Sequence, residues 1–435
     1  MAELLPDVLV NGLTGRAAPE QGCSSSASTW YSSLVKRMLR RLRVQNFLCL
    51  RDVTIDLAPL LIFVGPNASG KSAILRALQV FSMLPRAPVR GRAGSFHLRG
   101  VTLDRLVWRA DDKLPIVFQA WFDTDEEEPG YVLEISKVAS GWSVTKECLR
   151  LGNVRFDSGV EPFSFDTQLR GTITFKPPYP ATLGYLTALY KTDPEAARAI
   201  QPFQANSQRI GSTWRYVPSA SEIAASVFPG PDGAVPYVRE TGRGLPWKLR
   251  DFAAGPRKDL FARMVKQLGE WFSHIKGVNT PPEGLGVGLS FTTNRSDQEV
   301  PAQVESDGVL YALLLLYLTF SMTPQDSLAL EDPEQGTHPY LLGERYGWVK
   351  DVVEGKAGPH PIRTLLATHS IDFLNKISPE EAVEILRIVE FGPESGTKIS
   401  TLKDGGELDT LFKVYSGKVG DLWWSGALGG TPGPA

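Results

Sequence analysis

The apolar positions of this chain fall into runs of different period, and each period predicts a different element. Residues 59–64, PLLIFV, are continuously apolar between Pro59 and Gly65, the pattern of a short strand buried on both faces. From Lys71 the period changes. Ile74, Leu75, Leu78 and Phe81 recur at helical spacing, which predicts a helix directly after that strand. Further on, PIVFQAWFD, YVLEISKV, GWSVTKECLRL and GTITFKP alternate apolar and polar residues and predict antiparallel strands, with TDEEEPG as an exposed turn. Helical spacing returns over 181–205 and 258–275, as in DLFARMVKQLGEWFSHI. Between them, VPSASEIAASVFPGPDGAVPYVRETGRGLP is rich in Pro and Gly and is expected to run over the surface. The longest apolar run, GVLYALLLLYLTFSM at 308–322, is too short for a usual membrane span and reads as a buried helix. Two more short apolar runs, Leu328–Leu330 and Leu365–Ala367, read as strands. No long heptad array and no internal repeat interrupts this order.

A length of 435 residues gives two to three domains' worth of material, or one large domain with an insertion. Residues 1–37, rich in Gly, Ser and Ala, read as a loose extension without the basic start and apolar stretch of a signal peptide, so a cytoplasmic location is expected. Cys23, Cys49 and Cys148 lie far apart with no metal-ligand spacing and read as reduced thiols. A net charge of −2 gives no global nucleic-acid footprint, so DNA as a partner has no support from charge. The local basic stretches VKRMLRRLRVQ and LPRAPVRGRAG read as solvated faces.

Chemistry enters between the first strand and its helix. Gly65-Pro-Asn67-Ala-Ser69-Gly70-Lys71-Ser72 is a full G-x-x-x-x-G-K-S. Glycines let a backbone wrap a phosphate with its N–H groups pointing inward, and the helix N-terminus adds partial positive charge. Lys71 would reach the β- and γ-phosphates and the Ser72 hydroxyl would bind Mg²⁺. The strand before and the helix after are the context this motif needs, so the pattern implies a nucleotide site.

That reading decides a second feature. In DSLALEDPEQGTHP an apolar run ends in adjacent carboxylates, Glu331 and Asp332, followed by Pro333. Alone, such a pair marks a strand leaving the core into water. Beside a phosphate loop, the first acid would hold the metal and the second would orient the attacking water. His369 in LLATHS stands after a third strand and would reach the γ-phosphate as a donor. His338 is expected to pack or cap a turn, and His97, His274 and His360 have no supporting context. Ser306-Asp307-Gly308 opens the long apolar helix. Ser306 is compatible both with a simple helix cap and with phosphate binding at a helix N-terminus.

In order, NFLCLRDVTIDL, GPNASGKS, ESDGVLYAL, LALEDPEQGTHP and LLATHS resemble the ABC-type ATPases of the RecF/SMC and OLD branch, in particular compact bacterial ATPases with an AAA domain. The ending GKVGDLWWSGALGG is also similar to that of such small ATPases. The matching stretches cover about 40–85 and 300–430. The resemblance implies an α/β fold: a P-loop NTPase with an ABC-ATPase-like core, that is, a mixed sheet and a β-rich lobe. An α+β insertion would separate the phosphate loop from the signature motif. In this division 38–120 and 300–435 form the two parts of the ATPase core, and 121–299 the inserted lobe. It further implies Ser306 and Gly308 as signature residues acting from the opposite subunit, Glu331 as the Walker B acid, Asp332 as the catalytic acid and His369 as the switch histidine. Two chains would sandwich ATP and Mg²⁺ as a homodimer. The switch would serve an effector protein in a DNA-repair-like or anti-phage process, with no membrane partner and no attached TOPRIM nuclease. The chain departs from the family at Asp332, where Glu is usual, at Ala68, where Gly is common, and at Leu48, where a basic residue is usual. No Q-loop glutamine stands out, and Gln119 reads as a strand residue.

Overall fold

The computed structural model describes residues 39–84, 103–122, 127–138, 141–151, 154–158, 163–167, 171–175, 210–230, 237–402 and 406–429. The N-terminal extension at 1–37, the helical spacing at 181–205, Cys23 and His97 lie outside these residues.

The continuously apolar strand forms as predicted: β3 (Leu60–Val64) is buried throughout. It sits inside a six-stranded sheet of order β10-β16-β17-β3-β18-β19, built from β10 (Thr213–Tyr216), β16 (Ser327–Glu331), β17 (Arg363–Thr368), β18 (Leu386–Gly392) and β19 (Gly396–Thr401). The first five run parallel, and β19 returns antiparallel to β18. A strand covered on both faces reads as unbroken apolar sequence because neither side meets water. Alternate residues of β3 serve different cores. Leu60, Ile62 and Val64 pack with the helices on one face. Leu61 and Phe63 face the other way, toward helix α1 (Lys71–Met83) and a second sheet.

That second sheet is antiparallel, of order β2-β1-β4-β5-β6-β7. Its strands are β1 (Leu39–Phe47), β2 (Leu50–Asp56), β4 (Ile116–Phe122), β5 (Tyr131–Val138), β6 (Gly141–Leu151) and β7 (Val154–Ser158). The four strand patterns read after the phosphate loop correspond to β4, β5, β6 and β9 (Gly171–Phe175), the last pairing with β8 (Phe163–Thr167). Here the structure departs from the expected division. β4 runs across residue 120, and it pairs with β1, which precedes the phosphate loop. The antiparallel sheet is therefore shared between the N-terminal part and the expected insertion. β10, also from within 121–299, is an edge strand of the parallel sheet.

The Pro- and Gly-rich stretch after β10 also enters the core, through the short helix α2 (Ala220–Ile223), with Ile223 fully buried and Val238 nearly so. Helices α3 (Leu245–Ala254) and α4 (Lys258–Trp271) follow. Then come β11 (Ile275–Asn279), β12 (Pro282–Glu283), β13 (Gly286–Val287), β14 (Ser290–Thr293) and β15 (Val300–Pro301) in two small sheets. The apolar run becomes α5 (Asp307–Ser321), buried along most of its length. No helix among the described residues is long and apolar enough to cross a membrane. Helices α6 (Leu342–Glu354), α7 (Ile371–Leu374), α8 (Pro379–Ile385), α9 (Gly406–Val414) and α10 (Val419–Trp424) complete the order.

Candidate functional site

Parallel register brings the functional segments to one edge. Glu331 stands opposite Ala367 on β17, and Ala367 stands opposite Phe63 on β3. The carboxyl ends of β3, β16 and β17 thus finish level, where open α/β sheets bind ligands. A cavity of about 550 Å³ opens there, lined by Asn67, Ser69–Ser72, Glu331, Asp332 and His369 among others.

The loop between β3 and α1 is tightly built. Gly70 has φ 112°, and a Cβ there would lie 2.1 Å from Thr397 Oγ1, so no larger residue fits. That Thr397 hydroxyl donates to the Ser69 carbonyl at 2.9 Å, fastening the loop to β19. The Lys71 ammonium donates to the carbonyls of Gly65 and Pro66 at 2.7 and 2.9 Å. Burial holds Lys71 below its ordinary pKa, while Asp332, Glu331 and Glu334 pull it back up. Ser69 Oγ is buried and has no hydrogen-bond partner among the described residues.

Ser72 Oγ donates to Glu331 Oε2 at 2.7 Å, joining the first residues of α1 to the end of β16. Glu331 Oε1 accepts from Arg215 Nε at 2.6 Å, and Arg215 Nη1 donates to Glu240 Oε2 at 2.9 Å. Glu240 Oε1 in turn accepts from Gln79 of α1 at 3.1 Å. Asp332 turns the chain out of the strand with φ 47°, and its Oδ1 lies 3.1 Å from His369 Nδ1. Thr368 Oγ1 donates to Glu334 Oε1 at 2.8 Å. Burial pushes the Glu334 carboxyl above the ordinary carboxylate range. Buried Arg345 is brought down to about 10 by desolvation, with Glu334 acting against it. Asp332, Glu334 and His369 each offer a ligand atom within 4.8 Å of the others.

This donor set fits a magnesium-bound triphosphate. A hydroxyl and a carboxylate oxygen meet at 2.7 Å, an ammonium caps the loop carbonyls, and a buried hydroxyl has no partner.

The other expected residues lie elsewhere. Ser306 and Gly308 line a separate cavity of about 230 Å³ with Trp271, Phe272, Gly336 and His338. Ser306 occupies the N-cap of α5, yet its side chain makes no cap hydrogen bond and it remains exposed. A Cβ on Gly308 would lie 2.5 Å from the Gly336 carbonyl oxygen, which holds this position to glycine. Gln119 stays in the β4 ladder, opposite Arg43 and Val132. Leu48, the departure from the family's usual basic residue, lines the phosphate-loop cavity.

Sequence reasoning missed Arg215, Glu240 and Glu334. For Arg215 the signal was a lone cation inside a short strand, TWRY. For Glu334 it was a third acid within EDPE.

Residues 38–138 match the family described as AAA ATPase domain. Among curated proteins, the OLD nuclease of Thermus scotoductus is 54% identical over 43 residues, which make up 10% of this chain and 8% of that protein. Among solved structures, an SMC head bound to the C-terminal winged-helix domain of ScpA is 11% identical, covering 84% of this chain and 98% of that one, with a TM-score of 0.45. The SMC head domain from Thermotoga maritima is 12% identical over 84% of this chain and all of that one, with a TM-score of 0.37.

Proposed function

We propose that this chain, a P-loop ATPase of the RecF/SMC/OLD branch, binds ATP with magnesium at the carboxyl edge of its parallel sheet, hydrolyses it, and works as an ATP-sandwiched dimer. The observation that carries the reading is the 2.7 Å contact of Ser72 with Glu331 inside the cavity that also holds Lys71, Asp332 and His369.

Gly65, Asn67, Ser69 and Gly70 form the loop that wraps the phosphates. Lys71 exchanges its two carbonyl contacts for the β- and γ-phosphate oxygens. Ser72 and Glu331 hold the cation. When bound, magnesium offsets the charge that builds on the phosphate oxygens. Asp332 orients the attacking water and accepts its proton, and His369 donates to the γ-phosphate. Exposed Ser306 and buried Gly308, which line their own cavity, supply the helix N-terminus that closes the site of a second copy. The local likeness to OLD nuclease supports a DNA-repair-like or anti-phage role through an effector protein.

A rival reading is a nucleotide-sensing scaffold that barely turns over. It is favoured by Asp332, one methylene shorter than glutamate and already engaged with His369 at 3.1 Å.

Two variants test the proposal. Lys71→Ala lowers turnover about a hundredfold or more. Asp332→Asn keeps ATP bound and traps the dimer, read as a doubled mass with ATP and Mg²⁺. Parental turnover in Lys71→Ala ends the assignment. A parent chain that binds ATP without turnover, with or without DNA, selects the scaffold.

A further inference from the structure

Arg215 has no part in the roles assigned above, yet it bridges two carboxylates beside the site. Its side chain is 6% exposed and its guanidinium lies between the carboxylates of Glu331 and Glu240. The strand register explains how it gets there. Arg215 of β10 pairs with Ala329 of β16, two residues short of Glu331 and on the same face. An extended arginine there reaches along the sheet to its carboxyl edge.

The contacts divide the two oxygens of Glu331 between different tasks. Oε1 accepts from Arg215 Nε at 2.6 Å and lies 2.5 Å from Nη2. Oε2 accepts from Ser72 at 2.7 Å. With Arg215 Nε donating to one oxygen and the Ser72 hydroxyl donating to the other, the carboxylate is pinned at both ends and Oε2 is kept toward the start of α1. Glu240 and Gln79 hold the arginine from behind and tie it to α1, the helix that carries Lys71 and Ser72.

We propose that Arg215 is a positioning residue for the metal-side carboxylate: by gripping Glu331 Oε1 it aims Oε2 at the cation held with Ser72. The inference rests on the nucleotide reading above. It extends the site to a strand that carries no phosphate-loop, signature, Walker B or switch residue. Outer partners that orient a metal ligand typically change metal affinity about 10- to 100-fold when removed.

The test measures metal dependence in the full chain. Thermal melting is recorded with ADP alone and with ADP plus MgCl₂, and ATP turnover is titrated with MgCl₂. In the parent, ADP raises the melting temperature and MgCl₂ adds a further rise. In Arg215→Met the ADP rise persists, the MgCl₂ increment is lost, and the half-saturating MgCl₂ concentration climbs about tenfold or more. Arg215→Lys, which keeps the charge but not the Nε donor, falls between parent and Met. It decides the matter if the Met variant does not fold. A Lys or Met variant with the parental MgCl₂ midpoint, or a lower one, overturns the assignment, even if it melts early, since a merely structural ion pair changes stability without changing metal demand. A parent that gives no response to ADP overturns the nucleotide reading itself, and this inference with it.

Discussion

Two cavities of the described residues, each holding residues that the sequence pointed to, differ in what they offer. The one at the carboxyl edge of the parallel sheet is lined by a lysine, two acids, a histidine and a glycine-bearing loop. The one at the start of α5 is lined by Trp271, Phe272, two glycines and exposed Ser306, with His338, Glu344 and Arg345 also on its wall. No described residue lines both. The first has what grips a charged triphosphate and its cation. The second has the N-terminus of α5, where the Ser306 side chain makes no cap hydrogen bond. In the proposed chemistry each supplies half of a site, and a second copy brings the halves together.

The strongest way to break that comparison is complementation. Ser306→Arg alters an exposed position, so the fold stands. It is expected to bind ATP like the parent but to hydrolyse it about a hundredfold more slowly. Mixed with Lys71→Ala, it regains measurable turnover, because a mixed dimer contains one site with both halves intact. An inactive mixture, or a fully active Ser306→Arg, separates the second cavity from the chemistry.

A smaller effect sharpens the electrostatics of the first cavity. Burial raises the Glu334 carboxyl above its ordinary value of 4.5, so the native carboxyl keeps its proton to higher pH than the unfolded chain does. The contribution of that proton to stability is complete below the ordinary value and fades as pH climbs through the native one. Glu334→Gln is therefore expected to raise the melting temperature by a few degrees at neutral pH and to leave it near parental at about pH 4. A glutamine variant that melts earlier at neutral pH would contradict this.

The smallest effect concerns the loop. Ala68 is held at φ 62°, where a Cβ costs about 1 kcal/mol. Ala68→Gly should recover that amount in denaturant unfolding, against the usual cost of adding a glycine. A loss of stability would show that the loop draws support from the Ala68 methyl.

Much of the first cavity was legible because its chemistry is local. GPNASGKS, LED and ATHS each sit at the end of a strand, and neighbouring residues in sequence remain neighbours in space. The rest depends on which strands lie side by side. Arg215 and Glu331 are separated by 116 positions, and nothing in TWRYVP names β16 as its neighbour. The same blindness placed the boundary at 120 inside β4, whose partner β1 lies on the far side of the phosphate loop. Glu334 was in plain view, but the first two acids had already filled the roles the motif asks for.

The order of strands also bears on how the protein is made. β3 is finished by residue 64, but its neighbours on either side are β17 and β18, and the clasp on Ser69 comes from Thr397, 328 positions away. On the ribosome, the central strand and the loop after it must wait until residue 397 has been made before all these partners exist. Long-range pairing of this kind folds slowly and leaves apolar edges uncovered meanwhile. Under the proposed function, nucleotide would meet its full set of partners late, once β16, β17 and Thr397 have been made.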